Sequence, residues 1–357
     1  MILQSLAFTN FKNHTKLEVS PSVKWNVVTG LNGRGKTNAL DGIYMLCVLK
    51  SFLNHSLEAC VSYDHDFFRL EGHMENKDKI ELTYAKEKSR KLIFNGKKIT
   101  KVGDYIGRYP VLVIQPIDDY KLLEGSQARR RILDQAIAQM DGDYLQALMS
   151  YNRLLKQRNA LLKHMRSSGN KYFAQLDMYA PQLIECTEIL YNGRKSLVDA
   201  MSTDLSNFYH MIADGNELPD IAYKADVLPD VYPEMMKRNY EIDVMAGRTT
   251  KGPHLDDLTL LLDGHPLKTS GSQGQRKSFL VAVKLAIYRI MADWTEKLPI
   301  LLLDDLFDKL DNDRVGNLLK LINSELFGQV FISDKDDEHL VKIFDTLNFT
   351  MKHIKLN

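Results

Sequence analysis

Eight residues near the N-terminus have the types and spacing of a phosphate-binding loop. Segment 30–37 reads Gly-Leu-Asn-Gly-Arg-Gly-Lys-Thr, which matches the pattern G-x-x-x-x-G-K-[ST]. Glycines let backbone N–H groups turn toward phosphate oxygens, and the start of a following helix adds partial positive charge. We expect Lys36 to reach the β and γ phosphates of ATP and Thr37 to bind Mg²⁺. The predicted cofactor-binding residues of this loop are Gly30, Leu31, Asn32, Gly33, Arg34, Gly35, Lys36, Thr37 and Asn38.

An apolar run that ends in two carboxylates is the expected companion of this loop. Segment 300–305 reads Ile-Leu-Leu-Leu-Asp-Asp, which predicts a buried strand. At the end of that strand Asp304 would hold Mg²⁺ through the waters of the metal. Asp305 would orient or deprotonate the attacking water. A helix-capping carboxylate is the alternative for Asp305, and its pairing with the phosphate loop favours catalysis.

A second glycine-containing loop precedes the acidic strand. Segment 270–275 reads Ser-Gly-Ser-Gln-Gly-Gln at a predicted helix start, and it resembles the ABC ATPase signature, which presents a hydroxyl and a helix N-terminus to an anion. Because the chain already has one phosphate loop, we expect this helix end to serve the nucleotide of a partner subunit, in a two-fold homodimer with shared sites. The alternative is a loop that only caps a helix. The predicted nucleotide contacts here are Ser272, Gln273, Gly274 and Gln275.

Two further segments resemble parts of ABC ATPases. Gln115 follows a predicted buried strand at 111–114, where the Q-loop glutamine of that class contacts the metal and the attacking water. Segment 308–311 reads Asp-Lys-Leu-Asp and resembles the D-loop that crosses the dimer interface. The predicted catalytic residues are therefore Asp305, Gln115 and Lys36, and the predicted metal ligands are Thr37, Asp304 and Gln115.

A change of periodicity divides the chain into three parts. Strand-like segments dominate up to about residue 122, including a predicted hairpin with its turn at Asn95-Gly96. A helical pattern then follows, with leucines spaced by seven and a turn-forming cluster at 167–170. We therefore predict a head in two halves, 1–122 and 241–357, around a helical insertion at 123–240. The insertion is either an antiparallel helical arm or an ordinary helical subdomain. The seven-spaced leucines are Leu148, Leu155, Leu162, Leu176, Leu183, Leu190 and Leu197.

The composition places few limits on partners. Lys and Arg number 47 against 46 Asp and Glu, so net charge does not argue for a nucleic-acid partner. The three cysteines lack the paired spacing of a disulfide framework or zinc site, which indicates a reducing compartment. The apolar stretches fall well short of the roughly 20 residues that span a bilayer, and the N-terminus lacks a secretory pattern. We expect a cytoplasmic protein with no membrane contact.

Four segments together resemble the bacterial RecF family of recombination mediators. They are the opening segment 6–14, the phosphate loop 26–38, Leu-Leu-Lys-Gln-Arg-Asn at 154–159 and Gly-Pro-His-Leu-Asp-Asp at 252–257. The resemblance implies an α/β fold: an ABC-type P-loop ATPase head with an inserted antiparallel helical arm. It implies a weak, cytoplasmic ATPase that dimerises with ATP and binds gapped DNA at single-strand to duplex junctions. It also implies work with RecR and RecO in loading recombinase.

The family resemblance accounts for two departures from most ABC ATPases. Those proteins carry Glu where this chain has Asp305, and a switch histidine where it reads Ser333-Asp334. The RecF family likewise uses Asp-Asp and lacks that histidine, which leaves the γ-phosphate sensor open. The rival interpretations are the ATPase subunit of an ABC transporter and an SMC-like DNA clamp.

Two basic segments are the candidates for DNA contact. Segment 151–171 contains six basic residues and no acidic one, and segment 86–101 contains seven basic residues against one acidic. A charge run is usually a solvated face, but beside an ATP-closed groove phosphate contact becomes the favoured interpretation. The predicted DNA contacts are Arg153, Lys156, Arg158, Lys163, Arg166, Lys97 and Lys98.

Overall fold

The chain folds into two compact units. A computed structural model describes residues 1–115, 122–123, 125–170, 172–213, 216–306, 312–334 and 337–356. The head unit comprises residues 1–120, 207–216 and 272–357, and the inserted unit comprises 121–206 and 217–271. The insertion boundaries therefore differ from the prediction: residues 241–271 lie in the inserted unit, because the strand at 257–262 pairs with the strand at 219–224.

One sheet of the head unit is antiparallel, in the order β2-β1-β4-β5-β6-β7. Its strands are β1 (Leu3–Phe11), β2 (His14–Val19), β4 (Phe67–Met74), β5 (Lys79–Ala85), β6 (Lys91–Phe94) and β7 (Lys97–Ile99). Asn95 and Gly96 join β6 to β7 with φ of 49° and 77°, the left-handed pair that a two-residue hairpin turn requires. The predicted hairpin is therefore confirmed.

The second sheet of the head unit is parallel, in the order β14-β3-β13-β12-β8. Its strands are β3 (Trp25–Thr29), β8 (Val111–Ile114), β12 (Ile300–Asp304), β13 (Val330–Ser333) and β14 (Met351–Lys355). The first four are buried throughout, as expected for a parallel sheet covered on both faces. The edge strand β14 was not predicted, because Lys-rich Met-Lys-His-Ile-Lys has no apolar run and is a strand only through its pairing with β3.

Helix α1 (Lys36–Val48) follows the phosphate loop and contributes to the main apolar core together with residues of both sheets. Gly42 marks its closest approach to β1, since a Cβ there would lie 2.1 Å from the ring of Phe8. The head unit also contains the helices Gln273–Thr295, Asn312–Ile322 and Asp337–Thr346, and short 3-10 turns at Glu58–Cys60 and Val102–Asp104.

The inserted unit is mainly helical. Its helices are α2 (Ser126–Met140), α3 (Gly142–Ser168), α4 (Phe173–Asp177), α5 (Ala180–Ala213, its end counted with the head unit), α6 (Tyr232–Arg238), α7 (Tyr240–Ala246) and α8 (Leu267–Ser270), with a 3-10 turn at Pro253–Leu255. The three head helices that follow in the chain are α9 (Gln273–Thr295), α10 (Asn312–Ile322) and α11 (Asp337–Thr346). Among the described residues, no helix combines the length and apolarity needed to cross a membrane.

Helices α3 and α5 run antiparallel. A Cβ at Gly193 of α5 would lie 2.6 Å from the ring of Tyr144 near the start of α3, while Leu176 of α4 clusters with Leu162 near the end of α3. The predicted antiparallel hairpin is therefore confirmed. Pro181 lies in the first turn of α5, where proline removes no helical hydrogen bond.

A small sheet completes the inserted unit, in the order β11-β10-β9. Its strands are β9 (Pro219–Lys224), β10 (Asp257–Leu262) and β11 (His265–Pro266). The turn-rich segment 214–233 did not predict β9. This strand begins with proline and holds few apolar residues, so its structure comes from antiparallel pairing with β10.

Candidate active site

The phosphate loop connects β3 to α1 with its lysine folded inward. Its three glycines Gly30, Gly33 and Gly35 have φ of 147°, 82° and 91°, backbone conformations that L side chains rarely adopt. Lys36 is buried, and its Nζ donates to the carbonyl of Gly30 at 2.5 Å. The lysine therefore closes the loop across the space where phosphates bind in loops of this sequence.

Close approach is a second reason for glycine at two of these positions. A Cβ at Gly30 would lie 2.7 Å from the carbonyl oxygen of Leu356, and one at Gly35 would lie 2.3 Å from Oδ1 of Asn13. The loop is thus held between the segment after β14 and the β1–β2 turn.

Thr37 and Gln115 meet at Asp304, the carboxylate at the end of β12. Oγ1 of Thr37 donates to Oδ1 of Asp304 at 2.9 Å, and Nε2 of Gln115 donates to Oδ2 at 3.4 Å. The parallel register places the carboxyl ends of β8, β12 and β13 at one edge, which is why residues so distant in sequence gather here. Hydroxyl, amide and carboxylate oxygens are the ligands that Mg²⁺ prefers, so this donor set fits the metal.

Ser333 is a member of this group that sequence reasoning left without a role. Its hydroxyl donates to Oδ1 of Asp304 at 2.7 Å and accepts from the backbone N–H of Asp305 at 3.2 Å. Asp305 itself has φ of 48°. Ser333 therefore fixes both carboxylate residues, at the position where most ABC ATPases place a histidine.

The signature residues form the start of α9 (Gln273–Thr295). Ser272 is the N-cap residue: its hydroxyl accepts from the N–H of Gln275 at 3.2 Å, and its own N–H donates to the Gln275 side chain at 2.7 Å. Capping uses a lone pair of the hydroxyl and leaves its proton able to donate to an anion. The capping and phosphate-binding interpretations are therefore compatible.

Gly274 inside the signature lies close to an arginine side chain. A Cβ at Gly274 would lie 2.3 Å from the guanidinium of Arg314 in α10 (Asn312–Ile322). The predicted D-loop, 308–311, lies outside the described residues.

Two residues of the β1–β2 turn also contact the phosphate loop. Nε2 of His14 lies 3.0 Å from the carbonyl oxygen of Gly35, and Nδ2 of Asn13 donates to the carbonyl of Gly33 at 3.3 Å. Burial lowers the pKa of His14. Sequence reasoning placed both residues in the opening strand and assigned them no chemistry. Only the folded sheet brings them to the loop.

The prediction of DNA contact by Arg158 was wrong. This side chain is fully buried, and its NH1 lies 2.8 Å from Asp243 and 2.6 Å from the hydroxyl of Thr249. A charge run cannot distinguish a buried member from its exposed neighbours. Helical spacing places Arg158 on the opposite side of α3 from Lys156 and Lys163, but only packing decides which side is buried.

The other predicted DNA contacts are exposed, and an exposed position is what phosphate contact needs. They are Arg153, Lys156, Lys163 and Arg166 on α3, and Lys97 and Lys98 on β7. A shallow, open surface lies over the part of α3 that carries Lys156 and Lys163, with Leu155 between them. β7 is an edge strand. Lysines on an edge strand also discourage its pairing with a strand of another chain.

A phosphate loop between a buried strand and a helix, beside an acidic strand end, defines a P-loop ATPase head. The signature at the capped start of α9 is typical of the ABC and SMC class. The family model for the RecF/RecN/SMC N terminal domain matches residues 2–355. The chain belongs to the RecF family. It is 36% identical over 336 residues to the DNA replication and repair protein RecF of Cytophaga hutchinsonii, covering 94% of this chain and 89% of that protein. It is 34% identical to RecF of Flavobacterium johnsoniae over 359 residues, covering 100% of both.

Solved structures agree with this assignment. A structure of the recombination mediator protein RecF-ATPrS in the RecFOR pathway has a TM-score of 0.88 at 26% identity and covers 100% of this chain and 96% of that chain. An Smc head domain from Pyrococcus furiosus has a TM-score of 0.54 at 16% identity, covering 95% of this chain and 91% of that chain, and shares the fold alone. RecF relatives that match along the whole chain set aside the transporter and clamp interpretations.

Proposed function

We propose that this chain is an ATP-dependent DNA-binding protein of recombinational DNA repair and replication restart. ATP closes a dimer on gapped DNA, at single-strand to duplex junctions, where the protein helps to load recombinase. The observation that carries the proposal is the meeting of Thr37, Gln115 and Asp304 beside the inward-folded Lys36, in a chain whose relatives are named DNA replication and repair protein RecF.

In the proposed nucleotide site, Lys36 would exchange its contact with the Gly30 carbonyl for the β and γ phosphates. The backbone N–H groups of the loop and the N-terminus of α1 would surround the same phosphates. Thr37, Asp304 and Gln115 would hold Mg²⁺, which supplies charge neutralisation at the phosphates when it is bound. Asp305 would take up the proton of the attacking water.

We propose weak ATP hydrolysis, as the family resemblance implies, at catalytic sites that two chains share. Ser272, Gln273, Gly274 and Gln275 would reach the nucleotide held by the partner subunit. Exposure of the capped start of α9 leaves the Ser272 hydroxyl and the first helical N–H groups accessible to a second chain.

Contact with the DNA backbone is assigned to the exposed basic residues of α3. Lysine and arginine on one helix face bind phosphates irrespective of base sequence. By likeness to RecF in the RecFOR pathway, RecR and RecO are the proposed partners, and the cytoplasm is the proposed location.

Replacing Lys36 tests the proposal. Lys36→Ala should lose ATP binding, since nothing else in the loop supplies an ammonium group to the phosphates, and DNA retention should no longer respond to ATP. The measurements are calorimetric titration with ATP and Mg²⁺, and gapped-DNA binding with and without ATP. The control is Lys50→Ala, an exposed lysine just after α1, which should behave like the parent. Normal ATP affinity in Lys36→Ala would remove the basis of the proposed function.

A further inference from the structure

The β1–β2 turn lies against the outer side of the phosphate loop. His14, at the start of β2, is 8% exposed and its Nε2 lies 3.0 Å from the carbonyl oxygen of Gly35. Next to it, Asn13 contacts Gly33 and also accepts from the side chain of Asn38 at 2.7 Å. The turn therefore contacts the loop on both sides of Gly35.

The turn itself is rigidly anchored. Lys12, with φ of 53°, forms a buried ion pair with Asp41 of α1, Nζ to Oδ2 at 2.6 Å. Its N–H donates to the carbonyl of Cys60 at 2.8 Å, and its carbonyl accepts from Ser62 Oγ at 2.6 Å. Because α1 is also the helix whose N-terminus faces the phosphates, this anchoring fixes His14 relative to the loop.

The proton on His14 can be assigned from its partner. A carbonyl oxygen only accepts hydrogen bonds, so Nε2 must carry a proton and donate it. Burial and the nearby Lys12 ammonium lower the pKa of His14, which favours the neutral ring at neutral pH. The neutral ring is therefore the tautomer with hydrogen on Nε2.

Two donors hold the peptide that follows Gly35: its carbonyl accepts from the Ala39 N–H at 2.8 Å, the first hydrogen bond of α1, and from Nε2 of His14. In a trans peptide the C=O of one residue and the N–H of the next point in opposite directions. Because the Gly35 carbonyl is held by the first turn of α1 and by His14, the N–H of Lys36 points the opposite way, toward the phosphate loop. Lys36 begins α1, and its N–H is one of the unpaired donors at a helix start that bind anions.

We propose that His14 is a positioning residue for the nucleotide site: as the second donor to the Gly35 carbonyl, it reinforces the first hydrogen bond of α1 and steadies the Lys36 N–H that faces the phosphates. The role rests on the proposed ATP site. The positioning role differs from a general packing role because it requires a hydrogen-bond donor as far from the backbone as Nε2 of His14. Glutamine carries its amide nitrogen at about that reach, whereas asparagine carries it one carbon short.

The test compares His14→Gln, His14→Asn and His14→Leu. We expect the ATP dissociation constant to rise about tenfold in His14→Leu and His14→Asn, the loss of one buried hydrogen bond, and to stay near the parent value in His14→Gln. In steady-state hydrolysis, KM should rise with kcat nearly unchanged. His73→Leu, at an exposed histidine of β4, is the matched control and should bind ATP normally.

Thermal unfolding without nucleotide separates folding from positioning. Equal unfolding midpoints for the Gln and Asn variants, with different ATP affinities, would support the positioning role. Equal ATP affinities for these two variants, or normal affinity in His14→Leu, would overturn it. A parent chain that binds no ATP would overturn the proposed function itself, so the two failures are distinguishable.

Discussion

Asp305 adopts a backbone conformation that few side chains accept, with φ of 48° directly after a buried strand. Asp and Asn tolerate this left-handed region better than most residues. The N–H of Asp305 donates to both the carbonyl and the hydroxyl of Ser333, which holds the conformation in place. Such local strain is typical of functional sites, and here it turns the second carboxylate away from the line of the strand.

Replacing Asp305 by asparagine therefore separates its chemistry from its conformation. Asp305→Asn should keep the fold and bind ATP, since Asn accepts positive φ, but kcat for hydrolysis should fall by about 100-fold or more because an amide cannot accept the proton of the attacking water. ATP affinity and single-turnover hydrolysis are the measurements. Asp305→Glu, which retains a carboxylate, is the control and should be less impaired than Asp305→Asn. Unchanged turnover in Asp305→Asn would move the base to another residue, with the carboxylate Asp334 the next to test and Gln115 tested as a residue that orients the water.

At the scale of elements, α3 presents two different faces. One face carries buried side chains such as Leu162 and Arg158, and the other carries exposed Lys156 and Lys163 seven residues apart, which places them on the same side of the helix. Arg158 is excluded as a DNA contact by its buried ion pair with Asp243. Breaking such a pair destabilises a protein by about 3–5 kcal/mol.

Reversing the charge of Lys163 tests the exposed face. Lys163→Glu should weaken binding to gapped DNA at all sequences. The slope of log binding constant against log salt concentration should become shallower by about 0.9, because one DNA phosphate would no longer be neutralised. Binding isotherms at several salt concentrations measure the slope. Lys237→Glu, an exposed lysine of α6 in the same unit, is the matched control. If both variants bind DNA like the parent, α3 has a structural role and the β6–β7 hairpin with Lys97 and Lys98 becomes the better candidate.

For the whole molecule, the decisive question is whether the start of α9 completes the site of another copy. Ser272→Arg should bind ATP as a monomer with near-normal affinity, because the phosphate loop of the same chain is untouched. It should neither dimerise nor hydrolyse ATP efficiently, because the arginine would occupy the space of the partner's phosphates. Sedimentation with and without ATP is the measurement. Ser272→Thr, which keeps a capping hydroxyl, should dimerise.

Mixing two defective chains gives the sharper test. In a mixed dimer of Ser272→Arg and Lys36→Ala, one composite site combines the intact phosphate loop of the first chain with the intact signature of the second. The other site carries both defects. Some hydrolysis should return on mixing, provided one good site can hold the pair. Dimerisation and normal turnover of Ser272→Arg alone would contradict shared sites and leave a P-loop enzyme of another kind.

Elements with local signals could be predicted from the amino-acid sequence. The phosphate loop, its strand and its helix follow from glycine spacing and an apolar run, and β12 ends at the predicted Asp304. The Asn95-Gly96 turn and the seven-spaced leucines predicted the hairpin and the antiparallel helices, because turn chemistry and periodicity act over a few residues.

Features that depend on distant partners became visible in the folded chain and could not be predicted. Strands β9 and β14 exist through pairing with β10 and β3, not through their own composition. Ser333 joins Asp304 because parallel register brings the ends of β12 and β13 to one edge. His14 joins Gly35 because the β1–β2 turn of the other sheet packs against the phosphate loop. Arg158 looks like its exposed neighbours in sequence, and only packing of α3 shows which side of the helix is buried. Local patterns carry no information about these contacts, since each depends on the position of residues far away along the chain.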